Sequence, residues 1–374
     1  MAREYDLGIV GAGFAGLSCA KSAASAGLRT VVFDKKSRPG AYTQSTGIFV
    51  KEIAEVLDIP AKLTRKIAGV RLYAPNMQYF DLTSPGYYFL ATDTAAVLDW
   101  MAQRAMEQGV SIFSPERVTR VVHSPSQVWL PAQQTSCDYL VGADGANSPV
   151  ARATNLGMNT HFLRGAEYEG KGFDSLDGDF LHVFLDSVNA PGYIGWLLKG
   201  VSSVQLGVAA KGSARSRLPQ FVEKLRNHFG EWFEITGGRG GLIPCGGVVK
   251  PFARDRVCLL GDAAGMVSPL TAGGIHPAIE TGEALGAAIA RHLLHGAERP
   301  DRFIARSVLP TYRFKRPLRA AFDCITPPNR VYNRVLANPL FRRLAQVLFF
   351  HHRGLFSGAA WREIVLGMDG AGAE

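Results

Sequence analysis

A strand–glycine turn–helix–strand unit at the N-terminus predicts an α/β chain, and two further features support it. One is a strand running into an acid and a glycine-rich crossing at Gly261-Asp262. The other is a β-leaning stretch between these two units. The expected architecture is a Rossmann-like dinucleotide-binding domain, an inserted antiparallel-sheet domain, and a helical C-terminal tail. The expected bounds are 1–160 with 251–300 for the discontinuous domain, 161–250 for the insert, and 301–374 for the tail.

The first element is a short apolar strand at 6–10. It runs into Gly11-Ala12-Gly13-Phe14-Ala15-Gly16, then into a helix carrying Leu17, Ala20 and Ala24 and stopped by Gly27. A second strand, 30–33, ends in Asp34, followed by Lys35. This spacing is a dinucleotide fingerprint in its required context. Gly11 permits the tight turn, Gly13 lets a pyrophosphate reach the backbone, and Gly16 lets helix and strand pack closely. The helix N-terminus offers free N–H groups to the phosphates. Asp34 is placed to accept from ribose hydroxyls and disfavours a 2′-phosphate.

Residues 39–49 form a loop rich in glycine and hydroxyls, including Ser45, which either crosses a cofactor or is a plain connection. A helix is expected over 92–109 and a strand over 117–123, which contains Val118. A strand at 138–141 meets Ala143, Asp144 and Gly145 in a second glycine loop. From 162 to 250 the chain alternates and breaks at glycines, with β-leaning runs at 180–185, 193–199 and 204–209 and a helix at 218–229. Tyr193 and Trp196 lie in this part and either line a pocket or pack in a core.

The strand at 257–261 delivers Asp262 into small residues, Pro269 and the pair Gly273-Gly274, and a helix begins at Ile275. A helix N-terminus there points back toward the acid. His276 is a candidate proton donor or a packing residue of the first turn. Cys245 beside Pro244 reads as an inert buried thiol more than a reactive one.

With 374 residues, nearly half of them apolar, the chain can build one large or two medium cores. Five scattered cysteines without a CxxC pair point to reduced thiols in a cytoplasm and to no metal site. There is no long uncharged apolar run and no signal peptide, so a cytoplasmic protein is expected. The net charge of +9 suits an anionic partner, but no nucleic-acid motif accompanies it. The segment 336–356 mixes leucine and phenylalanine with arginine. It reads as a helix packed on the insert or as a peripheral membrane contact.

Three motifs stand in order: the fingerprint with Asp34; Asp144-Gly145 with Asn147, Ser148, Val150 and Arg152; and Gly261-Asp262 with Pro269. Together they resemble the p-hydroxybenzoate hydroxylase-like superfamily of FAD-dependent oxidoreductases. Within it, Pro269 to Ile275 and Ile243-Pro244 are most similar to the geranylgeranyl reductase family. Departures are Ser45 where a cysteine is common, Thr94 where an arginine is common, Lys199 for proline, and an altered spacing of Tyr193 and Trp196.

The resemblance implies non-covalent FAD in the discontinuous domain, with NAD(P)H or another reductant as a transient donor. It implies cofactor contacts at Gly11 to Gly16, Asp34, Lys35, Val118, Ala143, Asp144, Gly145, Gly261, Asp262, Gly273, Gly274 and Ile275. Ser45 and His276 stand nearest the chemistry, and Tyr193 and Trp196 nearest a small apolar or aromatic substrate. The implied activity is reduction of carbon–carbon double bonds in an isoprenoid-type substrate. The alternative is a flavin monooxygenase or halogenase on an aromatic, although the halogenase motif WxWxIP is missing. A non-catalytic lipid carrier would not need the fingerprint or Asp262.

Overall fold

The computed structural model describes residues 3–215 and 217–350. The chain divides into two compact units. The first comprises Met1–Ile53, Asp93–Leu163 and Gly241–Cys324; the second comprises Ala54–Thr92, Arg164–Gly240 and Ile325–Glu374. This differs from the expected division, which gave the second sheet only 161–250. Residues 69–73 and 79–83 also belong to that sheet, and pairings across so long a stretch leave no local signature in sequence.

The first unit is built on a parallel sheet. Its strands lie in the order Val257–Leu259, Thr135–Gly142, Arg3–Val10, Thr30–Phe33, Ser111–Phe113. Neighbours along this series run parallel, and the short strand Ala253–Arg254 adds antiparallel at one edge. Thr30–Phe33 is buried along its whole length, which explains its unbroken apolar run. Register brings the carboxyl ends level: Val10 lies opposite both Phe33 and Gly142, and Gly142 lies opposite Leu259. Of the strand expected at 117–123, only Val122–His123 forms. Val118 is a buried loop residue ahead of it, so the apolar alternation there reflects packing rather than pairing.

Two helices cover the glycine turns. Phe14–Ser25 follows the fingerprint, and Ile275–His295 follows Gly273-Gly274. They pack tightly because small residues line their seam. A Cβ on Gly282 would lie 2.7 Å from the Ala15 carbonyl oxygen, and one on Gly286 would lie 2.4 Å from that of Cys19. The helix Thr94–Glu107 is capped by Asp93, whose carboxylate accepts from the Ala96 amide at 3.1 Å.

The second unit is a sheet of seven strands. Their order is Phe233–Pro244, Phe162–Gly172, Val204–Ala210, Gly195–Lys199, Phe180–Phe184, Gly69–Tyr73, Tyr79–Thr83. The pairings from Phe162–Gly172 to Phe180–Phe184 and from Gly69–Tyr73 to Tyr79–Thr83 are antiparallel, while Phe180–Phe184 runs parallel to Gly69–Tyr73. The helix Leu218–Phe229 buries Leu218, Phe221, Val222 and Leu225 against Phe184, Leu206 and Val208. Gly230 ends it at φ 66°. His182 is wholly enclosed; its Nε2 donates to the Asp177 carbonyl at 2.9 Å, and its Nδ1 accepts from the Tyr73 hydroxyl at 3.0 Å. Burial pushes its pKa down to about 4, so it is a neutral structural residue.

Beyond the long helix the chain forms Pro300–Ser307, Lys315–Cys324, Asn329–Ala337 and Pro339–Phe350. The expected amphipathic segment 336–356 extends past the described residues; within them Leu336 and Ala345 are buried. No helix among the described residues is long and apolar enough to cross a membrane. No cluster of metal-binding side chains occurs among them either.

Candidate functional site

The carboxyl edge of the parallel sheet gathers most of the residues singled out in sequence. Gly11 leaves the central strand at φ 107°, and a Cβ there would sit 2.3 Å from the Ala143 carbonyl oxygen. Only glycine fits that turn. A Cβ on Gly16 would lie 1.9 Å from the Gly11 carbonyl oxygen, so the helix must start this close to the strand. Gly13 is different. It caps the helix with an extended backbone, and a Cβ there would meet no protein atom within 4 Å. Protein packing gives no reason for glycine at 13, whereas close approach of a ligand to the helix N-terminus does.

Asp34 closes this end. It is buried, and its carboxylate accepts from the Ala12 amide at 2.6 Å and the Lys36 amide at 2.8 Å. Each oxygen keeps a lone pair for a further donor. Lys35 is exposed. The carboxylate of Asp144 is committed within its own loop. It accepts from the Ser148 hydroxyl at 2.5 Å and the Val150 amide at 2.9 Å, capping the short helix Pro149–Ala153. Burial raises its pKa in spite of those bonds. What faces Gly11 is therefore the backbone of Ala143 and Asp144.

At the other end, Gly261 turns at φ 58° and Gly265 at φ 67°. Between them Asp262 is an exposed residue, with protein atoms packed close round its carboxyl group. That crowding pushes its pKa up to about 6, and its carboxylate accepts no hydrogen bond from the described residues. A Cβ on Gly274 would lie 3.4 Å from Asp262 Oδ1. The acid thus sits beside the N-terminus of Ile275–His295, as the sequence implied. Burial, and the charge of Asp262 after it, raise the pKa of Tyr312.

His276 lies in the first turn of that helix, with Nδ1 3.8 Å from Glu280 Oε2 one turn on. Ser45 accepts from the Gly47 amide at 3.2 Å, a local turn within the loop at 39–49. The same loop is tied by Thr94, whose hydroxyl donates to the Thr46 carbonyl at 3.4 Å. Cys245 is buried, and burial raises its thiol, in keeping with an inert residue.

Tyr193 and Trp196 belong to the second unit. The Trp196 ring covers Gly207, where a Cβ would come within 2.3 Å of it. Its Nε1 donates to Glu167 Oε2 at 2.6 Å, and Arg239 Nε donates to the other oxygen of that buried carboxylate at 2.7 Å.

Sequence reasoning missed Asn159. Its amide donates to the Ala146 carbonyl at 3.1 Å and to the Asp262 carbonyl at 2.8 Å, clamping the Asp144 loop to the Asp262 loop. A lone asparagine in a loop carries no signal that would have found it.

The arrangement fits an extended dinucleotide such as FAD. It offers two helix N-termini, an open position at Gly13, an acid with spare acceptors at Asp34, and an unbonded carboxylate at Asp262. Residues 9–68 match the family model of the NAD(P)-binding Rossmann-like domain. The chain is 30% identical over 324 residues to digeranylgeranylglycerophospholipid reductase 1 of Methanothermobacter thermautotrophicus, covering 79% of each chain. It is 28% identical over 313 residues to digeranylgeranylglycerophospholipid reductase 3 of Methanosphaera stadtmanae, covering 77% of this chain and 78% of the relative. Its fold superposes with a TM-score of 0.80 on the crystal structure of a geranylgeranyl bacteriochlorophyll reductase-like protein from Thermoplasma acidophilum. That match is 17% identical and covers 98% and 99% of the two chains. A site laid out for FAD and a relative this similar over most of both chains place the protein in the geranylgeranyl reductase family of FAD-dependent oxidoreductases.

Proposed function

We propose that this enzyme saturates carbon–carbon double bonds of an isoprenoid lipid. The observation that carries the reading is the 30% identity, over 79% of both chains, to a relative named digeranylgeranylglycerophospholipid reductase. FAD, held non-covalently by the first unit, would supply the hydride in its reduced form. Everything else falls to the chain. Gly13 and the helix behind it receive the pyrophosphate, and Asp34 accepts from the adenosine ribose. Asp262 accepts from hydroxyls of the ribityl chain. Gly273, Gly274 and Ile275 present the N-terminus of the long helix, which favours negative charge at the flavin ring. Ser45 is a candidate donor from the loop at 39–49, and His276 holds the proton that the second carbon takes up, with Glu280 orienting it, so the product gains one hydride and one proton. Tyr193 and Trp196, in the second unit, are the candidate contacts for the apolar chain of the substrate. NAD(P)H or another small reductant restores the electrons.

The test uses chemically reduced holoenzyme under anaerobic conditions with a geranylgeranyl lipid. The oxidised flavin spectrum should return, and the lipid should gain two hydrogens per turnover. Enzyme that stays reduced with polyprenyl substrates yet forms an oxygenated aromatic in air would overturn the reading in favour of a monooxygenase. His276→Gln should slow reoxidation without loosening FAD; an unchanged rate would remove His276 from the reaction.

A further inference from the structure

The helix Lys315–Cys324 is amphipathic the wrong way round for a protein surrounded by water. Its protein-facing side is charged. Arg319 is 4% exposed and pairs with Asp323 one turn on. Arg316 lies against the loop at Gly247, where a Cβ would come 3.0 Å from its Cδ. Lys315 is half-buried, and burial lowers its pKa. The outward side is apolar. Phe314, Leu318 and Phe322, spaced four residues apart and so on one face, are 65%, 45% and 42% exposed. Pro317 and Ala321, on the same side, are exposed as well.

The surrounding charge says what could cover this face. Within the same unit, residues 302–324 contain six arginines and lysines and a single acid, Asp323, and that acid is already paired with Arg319. Arg313 and Arg316 are exposed at the helix start. A second copy of this chain would bring the same excess of positive charge to the contact. An anionic lipid surface supplies both missing parts: acyl chains for the apolar stripe and phosphates for the arginines.

We propose that the helix Lys315–Cys324 lies in the surface of a bilayer carrying anionic headgroups, with Phe314, Leu318 and Phe322 inserted and Arg313 at headgroup level. The contact holds the enzyme peripherally where an isoprenoid lipid resides. The geometry stands without the reductase chemistry, and its test needs no turnover.

The full-length FAD-loaded protein is sedimented with phosphatidylcholine vesicles, with and without phosphatidylglycerol. Wild type should pellet with the anionic vesicles, less with the neutral ones, and less as salt is raised. Leu318→Gln combined with Phe322→Gln should lower partitioning at least about tenfold, since two large apolar groups no longer insert. Both residues are exposed, so the flavin spectrum and far-UV circular dichroism should be unchanged. As a second measurement, Phe322→Trp should show a blue-shifted emission when anionic vesicles are added. The proposal is overturned if wild type pellets with neither vesicle at low salt or if the double variant partitions like wild type. It is also overturned if the added tryptophan stays at its aqueous wavelength, or if wild type is a dimer in solution that the double variant converts to monomer.

Discussion

Asp34 offers the sharpest single test, because the structure gives it two separable jobs. Its backbone is pinned: the amide donates to Phe113 at 3.0 Å and the carbonyl accepts from Glu116 at 2.6 Å. A side-chain change therefore leaves the chain path alone. Its carboxylate holds the Ala12 and Lys36 amides at 2.6 and 2.8 Å. A hydrogen bond to a charged acceptor contributes about 1.5–3 kcal/mol. Asp34→Ala strands two donors, and because water enters from the open cofactor side the combined loss should be about 2–4 kcal/mol in cofactor-free protein. Asp34→Asn keeps one acceptor and should lose about half of that. FAD binding should weaken by a further ~1–3 kcal/mol in Asp34→Ala, from the lost ribose contact. Denaturant unfolding of stripped protein reads the first quantity, and quenching of added FAD fluorescence reads the second. If stripped Asp34→Ala unfolds at the wild-type midpoint, the carboxylate does not brace the turn. If FAD affinity is unchanged, Asp34 is not at the ribose.

Three further outcomes follow from the same edge of the sheet. Gly13→Ala should leave cofactor-free stability within about 1 kcal/mol of wild type, because a Cβ there meets no protein atom within 4 Å, while FAD affinity falls at least tenfold; equal losses in both would show a packing role instead. Gly286→Val should destabilise by about 1–3 kcal/mol or more, since the atoms it strikes, the Cys19 carbonyl and the Ala23 amide, are backbone; an unchanged unfolding midpoint would contradict the seam. Asp262 has a folded pKa of about 6 against 3.8 for the free side chain, so the folded state holds its proton more tightly and stability should fall as pH rises from about 4 to 6. Asp262→Asn should flatten that part of the pH profile of stripped protein, and superimposable profiles would refute the shift.

The first unit was legible because backbone geometry dictates its signals. Gly11 and Gly16 are glycines for reasons of one or two ångströms, and Asp34 and Asp262 end strands whose apolar runs are unbroken. The second unit was legible only in pieces. The helix Leu218–Phe229 was read to the residue, because helical spacing is local. The parallel pairing of Gly69–Tyr73 with Phe180–Phe184 joins residues more than a hundred positions apart, and neither strand announces its partner. The resemblance implies a cofactor contact at Asp144; its carboxylate accepts from Ser148 and Val150, partners that depend on how the loop folds back and that the motif does not announce. The same limit hid Asn159, whose two acceptors come from loops far apart in sequence.

The level strand ends have one more implication. Asp34 and Asp262 leave strands separated by two others, Arg3–Val10 and Thr135–Gly142. At the usual spacing of hydrogen-bonded strands, three intervals set the ends of the two strands that carry these acids about 14 Å apart. The sheet thus works as a fixed gauge, calibrated by main-chain hydrogen bonds rather than by any side chain. Point substitution can blunt either mark but cannot shift the interval, because that would require inserting or deleting a whole strand. A ligand of a different reach, such as a mononucleotide, could engage one acid and never both. Laboratory evolution toward new substrates should therefore accumulate its changes in the second unit and leave the gauge untouched.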